Sequence, residues 1–117
     1  MASPSPTTSE NRPGIDRRAA VRHFVRPGVT STACVPDRTR PWKAIIYDLS
    51  TTGIGLILLQ SFEAGTELAV ELFSPDTTLT YTVLTKVAHS TRQANGSWLV
   101  GCRFVRELSE EELQNLL

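Results

Sequence analysis

Two short segments hold the residues best suited to chemistry: Arg17-Arg18-Ala19-Ala20-Val21-Arg22 and Asp48-Leu49-Ser50-Thr51-Thr52-Gly53-Ile54-Gly55. The first places Arg18 and Arg22 four residues apart with Arg17 as an extra cation, and a guanidinium fork pairs with phosphate oxygens in a bidentate way. The second combines a carboxylate acceptor at Asp48, a hydroxyl at Ser50 and a glycine at Gly53, where backbone and ligand can approach closely. Each segment also has an ordinary reading. Basic tails contain Arg-x-x-x-Arg by chance, and Asp-x-Ser-x-x-Gly suits a strand-to-strand turn in which Asp and Ser bond nearby backbone.

The charge distribution favours an anion partner. The chain carries 12 basic and 12 acidic residues, yet residues 1 to 43 hold eight basic against three acidic, a local balance of +5 that leaves −5 for the rest. The alternative to an anion site is a solvated basic tail.

Catalysis has little support. His23 and His89 lie in different segments with no Ser or Cys elbow beside them, and no Gly-x-Ser-x-Gly, phosphate-cradling Walker loop or His-Glu-x-x-His occurs. The chain is read as a non-enzyme without catalytic residues. His89, in a polar stretch before Asn95-Gly96, is expected to be structural or merely exposed, and His23 a solvated surface histidine or an added donor at an anion site. Cys34 and Cys102 form no Cys-x-x-Cys pair and have no histidines at zinc-ligand spacing, so neither metal nor cofactor is expected and both thiols are read as reduced.

A length of 117 residues with 40% hydrophobic content fits one soluble domain. The longest strongly apolar run, Ile54 to Leu59, is far shorter than the roughly 20 residues that span a bilayer. The opening MASPSPTTSEN lacks the basic start and apolar stretch of a secretory signal. No membrane insertion is expected, and the chain is read as cytoplasmic.

These residues need elements to position them. Residues 1 to 14 are nearly devoid of apolar side chains and are read as a disordered leader. Residues 15 to 28 form an Arg-rich segment, expected to be mobile until anions pin it. Beyond it, runs rich in Val, Ile, Thr and aromatics are punctuated by turn residues, which is an all-β pattern. Strands are expected at Val29 to Val35, Trp42 to Asp48, Ile54 to Leu59, Glu67 to Phe73, Thr78 to Val87 and Trp98 to Val105. Leu68, Val70 and Leu72 alternate with polar or small neighbours, as do Trp98, Val100, Cys102 and Phe104. The 54 to 59 run is apolar on both faces and calls for a cover. Ser109 and Glu112 form a capping box for a helix over 109 to 117, with Leu108 and Leu113 at the staple positions, and its Leu113, Leu116 and Leu117 stripe is the expected cover. A small six-stranded antiparallel barrel over residues 29 to 105 would leave no open sheet edges.

The order of Arg-x-x-x-Arg, a strand, then a strand ending in Asp-x-Ser-x-x-Gly resembles the PilZ family of cyclic di-GMP receptors. The likeness extends through Ala64-Gly65-Thr66, Val100-Gly101-Cys102-Arg103-Phe104 and Leu108-Ser109-Glu110-Glu111-Glu112. It covers residues 16 to 117. The resemblance implies a six-stranded antiparallel barrel with a C-terminal helix and a bacterial second messenger bound on its outer surface, under a mobile Arg segment. It implies a ligand site of Arg18, Arg22, Asp48, Ser50 and Gly53. Arg17 would be an added ligand group, compatible with a stacked pair of cyclic di-GMP molecules. The chemistry is consistent: arginine can pair with phosphate, bond the O6 and N7 edge of guanine or stack on its face, and a carboxylate complements the N1 and N2 donors. An output protein is then the expected second partner.

Two other readings stand beside this one. A basic segment on a small barrel can bind single-stranded nucleic acid, but the eight aromatics do not cluster on one strand face and the body of the chain is acidic. A PilZ-like adaptor could instead dock a protein without nucleotide, which the unsubstituted motif positions disfavour. Trp42 and Trp98 are read as packing residues.

Overall fold

The structure is a computed structural model that describes residues 20–25, 27–36, 40–74 and 78–117. The expected leader and Arg17, Arg18 and Arg26 of the expected arm lie outside the described residues. Six strands, β1 (Thr30–Cys34), β2 (Trp42–Leu49), β3 (Gly53–Leu58), β4 (Glu67–Ser74), β5 (Leu79–Arg92) and β6 (Trp98–Phe104), precede one helix, α1 (Glu110–Gln114). All neighbours are antiparallel, and the order β1-β2-β3-β6-β5-β4 closes into a barrel through the β1–β4 pair. The expected all-β barrel with a terminal helix is therefore the observed fold.

The period-two pattern places the core as expected. Leu68, Val70 and Leu72 of β4 face inward with Ile54, Leu56 and Leu58 of β3 and Val100, Cys102 and Phe104 of β6, all buried. Each large aliphatic side chain removed from water contributes roughly 1.5–3 kcal/mol. The one buried hydroxyl on β5's inner face, Thr85, is satisfied by donating to the Leu68 carbonyl at 2.9 Å. Trp42 packs edge-on against Phe62 at 5.2 Å, and Trp98 lies half-buried against the core, so both indoles pack.

Two departures from regular alternation matter for function. The register of β2 against β3 shifts between Ile46 and Asp48, and that of β5 against β6 shifts between Val87 and His89. A bulge adds a residue to one strand and reverses the faces taken by the residues beyond it. Ile46 pairs with inward Leu56 but Asp48 with outward Gly55, and Val87 pairs with inward Cys102 but His89 with outward Gly101. The second bulge also explains why β5 runs on to Arg92 rather than ending at Val87, since it breaks the alternation that would have revealed the continuation. The hairpin then closes at residues 93–97, where Gly96 takes a φ of 90°.

The helix begins as its sequence dictates. Ser109 accepts from the Glu112 amide at 3.0 Å and Glu112 accepts from the Ser109 amide at 2.8 Å, which completes the capping box. Those bonds hold the Glu112 carboxyl below the usual carboxylate range. Leu108, Leu113 and Leu116 are buried in the core, and Asn115 donates to the Tyr81 hydroxyl at 3.0 Å. The apolar outer face of β3 has a source other than a covering helix. Its outward positions include Gly53 and Gly55, shielded by the β6 backbone and by Asp48 and Tyr47.

Candidate functional site

The site lies on the outside of the barrel where β2, β3, β6 and β5 run side by side. Cross-strand pairing aligns Asp48, Gly55, Gly101 and His89 in one row over four strands. The two central positions have no side chains, so the row is a trough with a carboxylate on one rim and an imidazole on the other. A Cβ on Gly55 would lie 2.6 Å from Asp48 Oδ1, and one on Gly101 would lie 2.6 Å from the His89 ring. Both rim side chains thus fold inward over the glycines. Glycine inside a strand marks a place where something else approaches the backbone closely. The resulting cleft has a volume of about 360 Å³, and Arg22, Tyr47, Gly53 and Arg103 also line it.

Arg22 reaches the cleft from the described part of the arm. His23 donates its amide to the Leu49 carbonyl and accepts the Leu49 amide, both at 2.8 Å, so the arm is tied to the end of β2 by a two-bond bridge. Beside it the Phe24 ring meets Tyr47 edge-on at 6.0 Å. That anchoring places Arg22 Nη2 at 2.6 Å from Asp48 Oδ1 and Nη1 at 3.1 Å from Ser50 Oγ. Residues 20–25 of the arm lie against the end of β2 through these contacts. His23 is half-buried and faces a second groove with Val21, Thr51 and Glu110, outside the cleft.

Ser50 is fully buried, and its hydroxyl accepts from the Thr52 and Gly53 amides at 3.2 Å each. The Ser50 amide donates to the Gly53 carbonyl at 2.9 Å, closing a tight turn. This serine shapes the loop and holds Arg22 rather than offering a free hydroxyl to the cleft. Gly53 has a structural requirement of its own, because a Cβ there would meet the Cys102 carbonyl oxygen.

Arg22, Asp48, Ser50 and Gly53 are therefore gathered at one place, while Arg17 and Arg18 fall outside the described residues. Sequence reasoning missed Gly55, Gly101, His89 and Arg103. Gly101 inside a strand otherwise made of larger side chains was the available signal, but only the register brings it beside Gly55, and only the bulge turns His89 toward it.

Among the described residues, no group of three or more His, Cys, Asp or Glu could hold a metal ion. Among the same residues, no helix is long and apolar enough to cross a membrane.

Residues 16–117 match the model of the PilZ domain. The chain belongs to the PilZ family. No curated protein matches it significantly. The barrel is similar to the Bacillus subtilis inhibitor of motility MotI/DgrA, with a TM-score of 0.65 and 18% identity over 87% of this chain and 49% of that one. It is similar to Escherichia coli YcgR in complex with c-di-GMP, with a TM-score of 0.65 and 18% identity over 86% of this chain and 43% of that one. It also resembles the Klebsiella pneumoniae MrkH–c-di-GMP complex, with a TM-score of 0.64 and 14% identity over 87% of this chain and 50% of that one. This PilZ domain thus spans about half the length of those proteins. At these identities the likeness establishes the fold.

Proposed function

We infer that this PilZ domain is a receptor for cyclic di-GMP that changes the state of its Arg-rich arm on binding and signals to a protein partner. The observation that carries this reading is the Arg22 guanidinium held by Asp48 and Ser50 over a glycine-floored cleft. Family membership and the c-di-GMP complexes of YcgR and MrkH support it.

The chemistry rests on the side chains. A guanine base is flat and can enter the cleft between the two rims, where its N1 and N2 donors find the Asp48 carboxylate. Each phosphodiester carries a negative charge that suits the Arg22 fork, with Arg18 and Arg17 as further cations of the same arm. Ser50 and Gly53 fix the turn that aims Asp48 and Arg22. In this structure Asp48 supplies the anion that Arg22 requires. A phosphate would offer Arg22 a second anion, and redistributing those bonds is the step that repositions the arm. The altered arm and bound nucleotide then present a new surface to an output protein.

Isothermal titration of the chain with cyclic di-GMP tests this, with GTP and a short single-stranded RNA as controls. Micromolar or tighter binding that is selective for cyclic di-GMP and lost in Arg22→Ala is expected. No binding would refute the receptor reading, and preferential RNA binding would replace it. Hydrogen exchange over residues 17–26 tests the switch, which fails if saturating ligand leaves those rates unchanged.

A further inference from the structure

We propose that His89 and Arg103 form a second wall of the ligand site and contact the nucleotide directly from the side opposite Arg22 and Asp48. This inference rests on the receptor reading above and adds two contact residues that lie outside both motif segments.

Three observations converge on this wall. First, the β5 bulge places His89 on the outer face, in the same four-strand row as Asp48, with only Gly55 and Gly101 between them. Its ring lies over Gly101 so closely that any side chain there would displace it. A planar ligand entering the trough therefore meets a carboxylate at one rim and an aromatic ring at the other. Second, Arg103 occupies the adjacent row, paired with Gly53 on one side and Lys86 on the other, so it stands beside the motif glycine. Third, the two arginines of the cleft differ in their bonding. Arg22 is ion-paired to Asp48, whereas the side chains of Arg103 and His89 have no hydrogen-bond or ion-pair partner among the described residues. Asp48 is the one carboxylate among the residues lining the cleft, against the two guanidinium groups of Arg22 and Arg103. That imbalance suits a ligand with two phosphates: one for the arm and one for Arg103. The His89 ring offers a stacking surface to the base.

Titration with cyclic di-GMP of the native chain and of His89→Ala, His89→Phe, Arg103→Ala, Arg22→Ala and Lys43→Ala tests the wall. Lys43 is exposed on β2 away from the cleft and serves as a charge control. His89 and Arg103 are both exposed, so their variants are expected to melt like the native chain. The expected result is a loss of about tenfold in affinity for His89→Ala and for Arg103→Ala, within the range of a lost base stack or a lost charged contact. His89→Phe keeps a planar ring and is expected to recover most of the loss, while Lys43→Ala binds as native. Native affinity in either alanine variant would overturn the wall, and if Arg22→Ala still abolished binding, the receptor reading would stand without it. A phenylalanine variant as weak as the alanine one would overturn the stacking role of His89. Failure of the native chain to bind would overturn both the receptor reading and the wall.

Discussion

Gly53 and Gly55 sit two residues apart on the same face of β3, yet replacing each by alanine should have opposite consequences. A Cβ at Gly53 would collide with the Cys102 carbonyl oxygen and lie 3.5 Å from the Arg103 Cα, both backbone atoms of the paired strand β6. Backbone in a closed barrel cannot swing away, so β3 and β6 must separate locally. Overpacking of this kind costs roughly 1–3 kcal/mol, and contact with backbone places the site near the upper end. The reduced freedom of the unfolded alanine chain offsets about 0.4–1 kcal/mol. A net loss of about 2 kcal/mol lowers the melting temperature by roughly 8–16 °C for a domain of this size. At Gly55 the new Cβ would meet Asp48 Oδ1 at 2.6 Å, with the next atom at 3.6 Å. A carboxylate can rotate out of the way, so Gly55→Ala should melt within about 3 °C of native, a shift of under 1 kcal/mol. The displaced Asp48 then breaks its bond to Arg22, and ligand affinity falls instead. Thermal melts by circular dichroism, paired with titration of cyclic di-GMP, separate the two outcomes. A Gly53→Ala protein that melts like the native chain, or a Gly55→Ala protein that falls as far as Gly53→Ala, would refute the reasoning.

Other contacts give further expected outcomes. Arg22 and Asp48 have side chains 42% and 20% exposed, so a double-mutant cycle on their pair should give about 0.2–1 kcal/mol by urea unfolding, and a larger coupling would mean that solvent screens the pair poorly. Thr85→Val should destabilise by about 0.5–1.5 kcal/mol in the same assay, because it removes the buried hydroxyl's bond to the Leu68 carbonyl. The Glu112 carboxyl is held down first by the Ser109 backbone bond, so its stabilising effect is present above the unfolded value of about 4.3 and is lost as pH falls through the lower folded value. Melting temperatures between pH 6 and pH 3 should therefore decline less steeply in Glu112→Gln than in the native chain. Burial pushes the Cys102 thiol up and leaves it 5% exposed, so iodoacetamide should label half-buried Cys34 well before Cys102, as mass spectrometry of peptides would show.

The fold could be read from the sequence wherever the alternation was unbroken. Leu68-Val70-Leu72 and Val100-Cys102-Phe104 declared their inward faces, and Ser109 with Glu112 declared the helix start, because period two and the capping box are local properties. The motif half of the site was equally local: Asp48, Ser50 and Gly53 lie within one turn, and Ser50 Oγ bonds to the amides of residues 52 and 53. The outward placement of His89 was hidden because it depends on pairing with Gly101 and on the bulge after Val87. By simple alternation from Val83, Thr85 and Val87, position 89 should face the core. Asp48 comes after Ala44 and Ile46 in the same way, and only the bulge after Ile46 turns it outward. Neither bulge has a local sequence mark here, since both arise from how the neighbouring strands must register.

Those bulges and the Ser50–Gly53 turn leave the two sides of the site held by very different means. The loop that aims Asp48 is fixed from several directions. Its Ser50 hydroxyl takes two amides, the Thr52 carbonyl takes the Phe104 amide at 2.9 Å, and the Thr51 carbonyl takes the Leu108 amide at 2.9 Å. The last two bonds join it to the end of β6 and to the residue before the Ser109 cap, so the loop cannot shift without disturbing the start of α1. Residues 20–25 of the arm are held by the two-bond bridge at His23, the Arg22 contacts, the Phe24–Tyr47 edge and half-buried Val25 against the core, with Phe24 itself 77% exposed. Few buried contacts mean a low local opening cost. A ligand that competes for Arg22 therefore meets a rigid floor and a weakly held arm. Under the receptor reading proposed above, free energy gained by binding would go into moving the arm rather than into deforming the barrel. Replacing Phe24 by alanine removes part of the arm's hold and substitutes no residue that lines the cleft, though it takes away the ring beside Tyr47. It should speed hydrogen exchange at the His23 amide in the ligand-free chain and leave exchange at the Phe104 amide unchanged. Equal acceleration at both amides would show instead that arm and barrel open as one unit.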